Sequence, residues 1–200
     1  MGNSESNKRL LQGRETRKAI IEAASSCFAE KGYAACSMDN IAHAAGLSKG
    51  GLYAHFRSKE ELFTTVINRE HKRAIQRARA ALDRPPYLES MLWHMRECVR
   101  NAGFPMDHRL WVEALAIAGR DPAMKAAFLK SERLSRNILK KLLKKAMENN
   151  EISASLDIER ISILLFAIGD GLIARIADDP DFDFDHDFSV FETSIRKILQ

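Results

Sequence analysis

Cysteine is scarce in this 200-residue chain, with Cys27, Cys36 and Cys98 the only three. Widely spaced, they make neither a disulfide framework nor a metal site. Their scarcity predicts a reducing, cytoplasmic setting with no bound metal or other cofactor. Long apolar runs are missing too, and none approaches the roughly 20 residues a membrane-crossing helix needs. No signal-peptide pattern opens the chain, so no membrane partner is expected. Convincing strand-like alternation is also absent. Charge of one sign is not dominant: 31 Lys and Arg against 27 Asp and Glu leave +4 and a pI near 9.0. That balance is compatible with a nucleic-acid partner without identifying one.

What is present is helical periodicity. With 46% hydrophobic and 29% charged residues the chain can bury a core. From Arg14 to Lys31, the positions Ile20, Ala23, Ala24, Cys27 and Phe28 form one stripe, stopped by Gly32. Ser37 caps a short helix carrying Met38, Ile41 and Ala42, and Gly46 ends it. Ser48 caps the next, and Ser58 with Glu61 forms a capping box for a long helix. Further helices are expected at about 86–101, 107–118, 122–149, 157–178 and 186–199. The fold class is therefore all-α, about nine helices: a three-helix helix-turn-helix head followed by a larger helical body. The expected division is a flexible arm at 1–13, a head at 14–67, and a body at 68–200.

Three fragments imitate catalytic motifs. Gly46-Leu47-Ser48-Lys49-Gly50 satisfies G-x-S-x-G, but a nucleophile elbow needs a strand leading in and acid and His partners. Ser48 reads better as a helix cap. Gly169 to Ala174 satisfies G-x-G-x-x-A inside an apolar helix with no preceding strand, so close helix packing is the better reading. The aspartates from Asp178 to Asp187 lack calcium-loop spacing and suit a solvated turn before the last helix. No enzymatic activity, and no catalytic residue, is expected.

The two short helices joined by "AGLS" form a helix-turn-helix, whose second helix enters the DNA major groove; the alternative from the turn alone is a structural helical hairpin. Gly50 and Gly51, adjacent at the tip, would let the backbone approach DNA closely. "RETRKAIIEAASSCFAEKGYAACSMDNIAHAAGLSKGGLYAHFRSKEELFTTVI", residues 14–67, resembles the DNA-binding head of the TetR family of transcriptional regulators. The most telling parts are "IAHAAGLSKG", "LYAHF" and "SKEELF". The resemblance implies DNA contact by Ser37, Ser48, Lys49, Gly50, Gly51, Tyr53, His55 and Lys59, with Ile41, Ala42, Gly46, Leu52 and Phe56 in the structural core. Gly51 stands where the family usually has a side chain, which shifts base reading toward Lys49 and its neighbours.

The resemblance further implies an effector-binding body that dimerises through its last two helices, hence a ligand-responsive homodimer on a palindromic operator, most simply a repressor. An activating or ligand-independent regulator, a helical enzyme and a helical scaffold without DNA are the alternatives. A small-molecule effector would sit among Met91, Trp93, Met95, Cys98, Phe104, Trp111 and Phe128, with Asp170, alone in an apolar helix, needing a partner. The dimer seam is expected at Ile161, Leu165, Ile168, Leu172, Ile176, Phe188, Phe191 and Ile195, since a helix apolar nearly all round must be covered on several sides. "HRLWVEALAIAGRDPAM" (108–124) and "GDGLIARIADDP" (169–180) also resemble the C-terminal half of the BetI-like subgroup.

Overall fold

The computed structural model describes residues 2–101 and 107–200. Among the described residues it has nine helices and no strand. One compact unit ends at Ile67 and the second runs from Asn68 to Gln200.

The first unit comprises α1 (Gly2–Ala35), α2 (Met38–Ala44), α3 (Lys49–Tyr53) and the first turns of α4 (Lys59–Ala81). Helix α1 extends back to Gly2, through residues 2–13 where an arm was expected. Leu10 and Leu11 on that extension are 62% and 55% exposed, so neither packs into the core of the first unit. Its other end bends at Gly32, whose φ of 74° suits a residue without a Cβ. The bend turns the chain back on itself and corrects the reading of the cysteines. Cys27 and Cys36 lie 6.0 Å apart at Cα and are joined in a disulfide, both buried. A nine-residue separation says nothing about this until the kink is known. Ile20, Phe28, Ile41, Leu52, Phe56, Leu62 and Phe63 form a core with no solvent exposure. Phe63 meets Phe28 edge-on at 4.9 Å, and Tyr33 lies 4.6 Å from Phe63.

The second unit contains the remainder of α4 with α5 (Tyr87–Arg100), α6 (His108–Ala118), α7 (Pro122–Glu148), α8 (Ile158–Asp178) and α9 (Phe184–Leu199). Asp107, Asp121, Asp157 and Asp183 each cap the helix that follows through a carboxylate accepting backbone N–H groups. The N-cap of α5 is Pro86, with no side chain to offer, and Glu151 supplies the acceptor instead, 2.6 Å from the Leu88 amide. The C-terminus of α7 closes on Asn150 at φ 56°, with Glu151 and Asn150 amides bonded to Ala146 and Met147 carbonyls. Arg196 grips Glu89 through both guanidinium nitrogens at 2.5 and 2.7 Å, tying α9 to α5. Asp185, in the aspartate-rich segment, pairs with Arg96 and Arg100 rather than standing free in solvent.

Candidate nucleic-acid interface and ligand cavity

Helices α2 and α3 are set by their ends. Ser37 accepts from the Asn40 amide at 3.1 Å while its own amide donates to Asn40 Oδ1 at 3.0 Å, a reciprocal capping box. At the other end of α2 the Gly46 amide bonds His43 O and the Leu47 amide bonds Ala42 O. Gly46 itself takes a φ of 67°, which completes this helix stop and aims the chain into α3. Ser48 Oγ then accepts from the Gly51 amide at 3.1 Å, so its hydroxyl is a cap and not a nucleophile.

This leaves Ser37, Ser48, Lys49, Gly50 and Tyr53 exposed, while Leu52 and Phe56 anchor the opposite face. Gly51 and His55 are half-buried. A Cβ at Gly50 would meet nothing within 4 Å, so nothing inside the head demands a glycine there. A Cβ at Gly51 would meet Ser48 Oγ at 3.3 Å, pressing on the cap. Lys49 pairs with Asp39 at 3.0 Å, with both side chains 63% exposed, and the carboxylate hydrogen bond raises the lysine pKa. Such a pair contributes little and exchanges readily for a phosphate. Lys59 is placed differently from expectation. Its Nζ donates to Tyr33 O at 2.8 Å and lies 4.3 Å from the Tyr33 ring centre, stabilising the end of α1.

The second unit contains a partly open cavity of about 400 Å³ walled by α4 to α8. Met91, Met95 and Cys98 line it from one face of α5, joined by Trp111, Phe128 and Asp170. Trp93 does not belong to this set. It lies 58% exposed, because residues 91, 94, 95 and 98 share a helix face and position 93 points away from it. Phe104 lies outside the described residues. The wall also carries His71 and His94, which apolar bulk did not single out; their spacing with Ala74 on α4 and with Met91 and Cys98 on α5 was the available signal.

Four ionisable groups of the wall, His71, His94, Cys98 and Asp170, are pushed toward their neutral forms. Burial lowers His71 to about 4. Burial and then the Arg77 charge lower His94 to about 4. Burial pushes the Cys98 thiol up to about 11, and His94 Nε2 lies 3.4 Å from its sulfur. Asp170 is raised by burial and then by Glu132. His71 meets Trp111 and Phe128 edge-on, each 5.0 Å between ring centres. Among the described residues, His71 Nδ1 and Trp111 Nε1 are buried without a hydrogen-bond partner.

The α8–α9 surface differs from expectation. Leu165, Leu172, Phe188 and Ile195 are at most 2% exposed within a single chain, so they form its own core and cannot meet a second copy. Ile161, Ile168 and Ile176 are half-buried, and Phe191 is 36% exposed. The outer face carries Ile163, Ala167, Gly171 and Ala174 on α8 with Val190, Phe191 and Ile198 on α9.

A family model described as bacterial regulatory proteins, tetR family, matches residues 20–66. A second, the BetI-type transcriptional repressor C-terminal model, matches residues 98–200. The chain is 29% identical over 166 residues to the HTH-type transcriptional regulator UidR of Escherichia coli (strain K12), covering 82% of this chain and 83% of that one. Among solved structures it resembles Salmonella enterica GusR at 27% identity and TM-score 0.67, covering 92% and 96% of the two chains. The fold also matches the transcriptional regulator FadR of Bacillus subtilis in complex with stearoyl-CoA, at 22% identity and TM-score 0.71, over 91% and 96%.

Proposed function

Because the chain belongs to the TetR family of DNA-binding transcriptional regulators, and is not an enzyme, we propose that it is a cytoplasmic homodimeric repressor released from a palindromic operator by a small-molecule effector. The observation that carries this reading is the 400 Å³ cavity, mostly apolar, in the unit that does not contain the helix-turn-helix. A structural relative, FadR, holds stearoyl-CoA, which supports a ligand-binding role for the body. Helix α4 starts in the first unit and supplies Glu70, His71 and Ala74 to the cavity, so one continuous element belongs to both functions.

On DNA, Lys49 exchanges Asp39 for a phosphate, and Ser37, Ser48 and Tyr53 add hydrogen bonds around a backbone bared at Gly50 and Gly51. His55 serves the same face from a less exposed position. The outer face of α8 and α9 makes the dimer, where Gly171 leaves open space for a second helix. Effector and operator then disfavour each other by equal factors. The test is operator titration with purified protein on DNA recovered by genomic footprinting, with and without ligands that raise the melting temperature. Ligands that stabilise the protein yet leave operator affinity unchanged would refute the repressor-release mechanism.

A further inference from the structure

Within the first unit a disulfide joins Cys27, on α1 before its bend at Gly32, to Cys36, just past the helix end. Cys36 directly precedes Ser37, whose capping box opens α2. The disulfide therefore holds the start of the helix-turn-helix against α1. Weaker contacts hold the rest of that connection. Lys59 Nζ donates to the Tyr33 and Ala34 carbonyls at 2.8 and 3.4 Å, and the Cys36 amide donates to Gly32 O at 3.3 Å. Asp39, in the first turn of α2, carries the ion pair that places Lys49. The connection thus positions both Ser37 and Lys49, groups assigned above to DNA contact.

A DNA-binding regulator works in the compartment that holds the DNA, where thiol reductants keep protein cysteines reduced. A disulfide formed there is ordinarily transient, made in catalysis or in redox sensing. The chain is not an enzyme, which leaves sensing. Both cysteines are buried, Cys27 at 6% and Cys36 with no exposure. The pair is therefore closed to bulky disulfides and open to a small oxidant that enters as the connection opens locally.

Resting on the operator-binding reading of the head, we propose that Cys27 and Cys36 are a thiol–disulfide switch, oxidised by a small peroxide, whose disulfide form binds the operator more tightly than the dithiol. Cys27, the less buried of the two, attacks a peroxide oxygen as its thiolate. The O–O bond breaks, the departing oxygen leaves as water, and a sulfenic acid remains on Cys27. Cys36 then attacks that sulfur, forming the S–S bond and releasing the second oxygen as water. With hydrogen peroxide the sum is two thiols and one peroxide giving one disulfide and two waters, with two electrons passing from sulfur to oxygen. A dithiol reductant reverses the change by thiolate exchange. The direction follows from preorganisation. In the dithiol form the connection can leave the arrangement that places Ser37 and Lys49, and apparent affinity falls with the competent fraction.

The test compares the full-length protein after hydrogen peroxide and after dithiothreitol, each titrated with operator DNA recovered by genomic footprinting. Mass spectrometry of alkylated peptides should place a disulfide at Cys27–Cys36 in the first sample and free thiols in the second, with equal helix content by circular dichroism. The oxidised protein should bind at least about fivefold more tightly. Cys27→Ala and Cys36→Ala should each fix affinity at the dithiol value whatever the treatment. By reciprocity, saturating operator should shift the equilibrium in dithiothreitol buffers toward the disulfide by the same factor. Equal affinity in the two states, tighter binding by the dithiol, or a disulfide that dithiothreitol never opens would overturn the switch and leave the operator-binding reading standing. A reduced head that loses its helices would make the pair a structural staple and overturn the switch as well. If neither state binds operator, both readings fall.

Discussion

Acid should weaken the second unit well before its carboxylates titrate, because of His71 and His94. Both are held neutral to about 4, against an ordinary value of 6.5. Between those limits the unfolded chain takes up a proton at each ring that the native chain refuses. The native state therefore loses stability as pH falls from 6.5 toward 4, and the penalty is absent above 6.5. A shift of this size corresponds to about 3 kcal/mol per ring as an upper bound, lowered by water entering the cavity both line. Against a total stability of about 5–15 kcal/mol, even half of that is easily measured. Opposing groups act weakly in this window. Asp170, raised by burial and Glu132, gains a proton on acidification and works in the other direction near its acid end. His186, raised by its hydrogen bond to Asp187, also opposes but is exposed. Glu89, lowered by Arg196, starts to lose its contribution only as pH falls below its ordinary value of 4.5. Urea unfolding at pH steps from neutral to about 5 should show stability falling, with His71→Phe and His94→Leu each removing part of the slope. An unchanged slope in the double variant would refute the buried neutral histidines.

Three further outcomes follow from particular contacts. Glutamates at Ile163 and Val190 together should convert dimers to monomers on size exclusion with light scattering, whereas Leu165→Ala, a core truncation, should cost about 2–5 kcal/mol of unfolding free energy; dimers that persist in the double variant would place the seam elsewhere. Reduction of Cys27–Cys36 should lower stability of the first unit by about 2–3 kcal/mol, from the chain entropy regained by a loop of this length; a transition indifferent to reductant would refute it. Gly50→Leu should stabilise the free head by up to about 1 kcal/mol, since its Cβ meets nothing, yet abolish operator binding by steric exclusion; normal operator affinity in that variant would end the close-approach account.

The helices and the recognition unit were legible because short-range chemistry specifies them. Ser37, Ser48, Asp107 and Asp121 cap the helices that their side chains announce, and Gly46 takes the left-handed turn its position suggests. What stayed hidden depends on where a helix face ends up. Helix α8 is apolar almost all round, so its periodicity marks several stripes without ranking them. The stripe through Leu165 and Leu172 faces the chain's own core, and the one through Ile163 and Ala167 is left exposed. The same rotation separates Trp93 from Met91 and Met95, although all three are bulky and close in sequence. Lys59 looked like a phosphate ligand because its charge was visible, whereas the Tyr33 and Ala34 carbonyls that hold it are visible only once α1 bends at Gly32. That same bend brings Cys27 to Cys36, so one glycine accounts for both departures. Composition then misleads most where polarity and burial part company. Nothing in the composition sets His71 and His94 apart, and only the cavity around them turns two imidazoles into neutral walls.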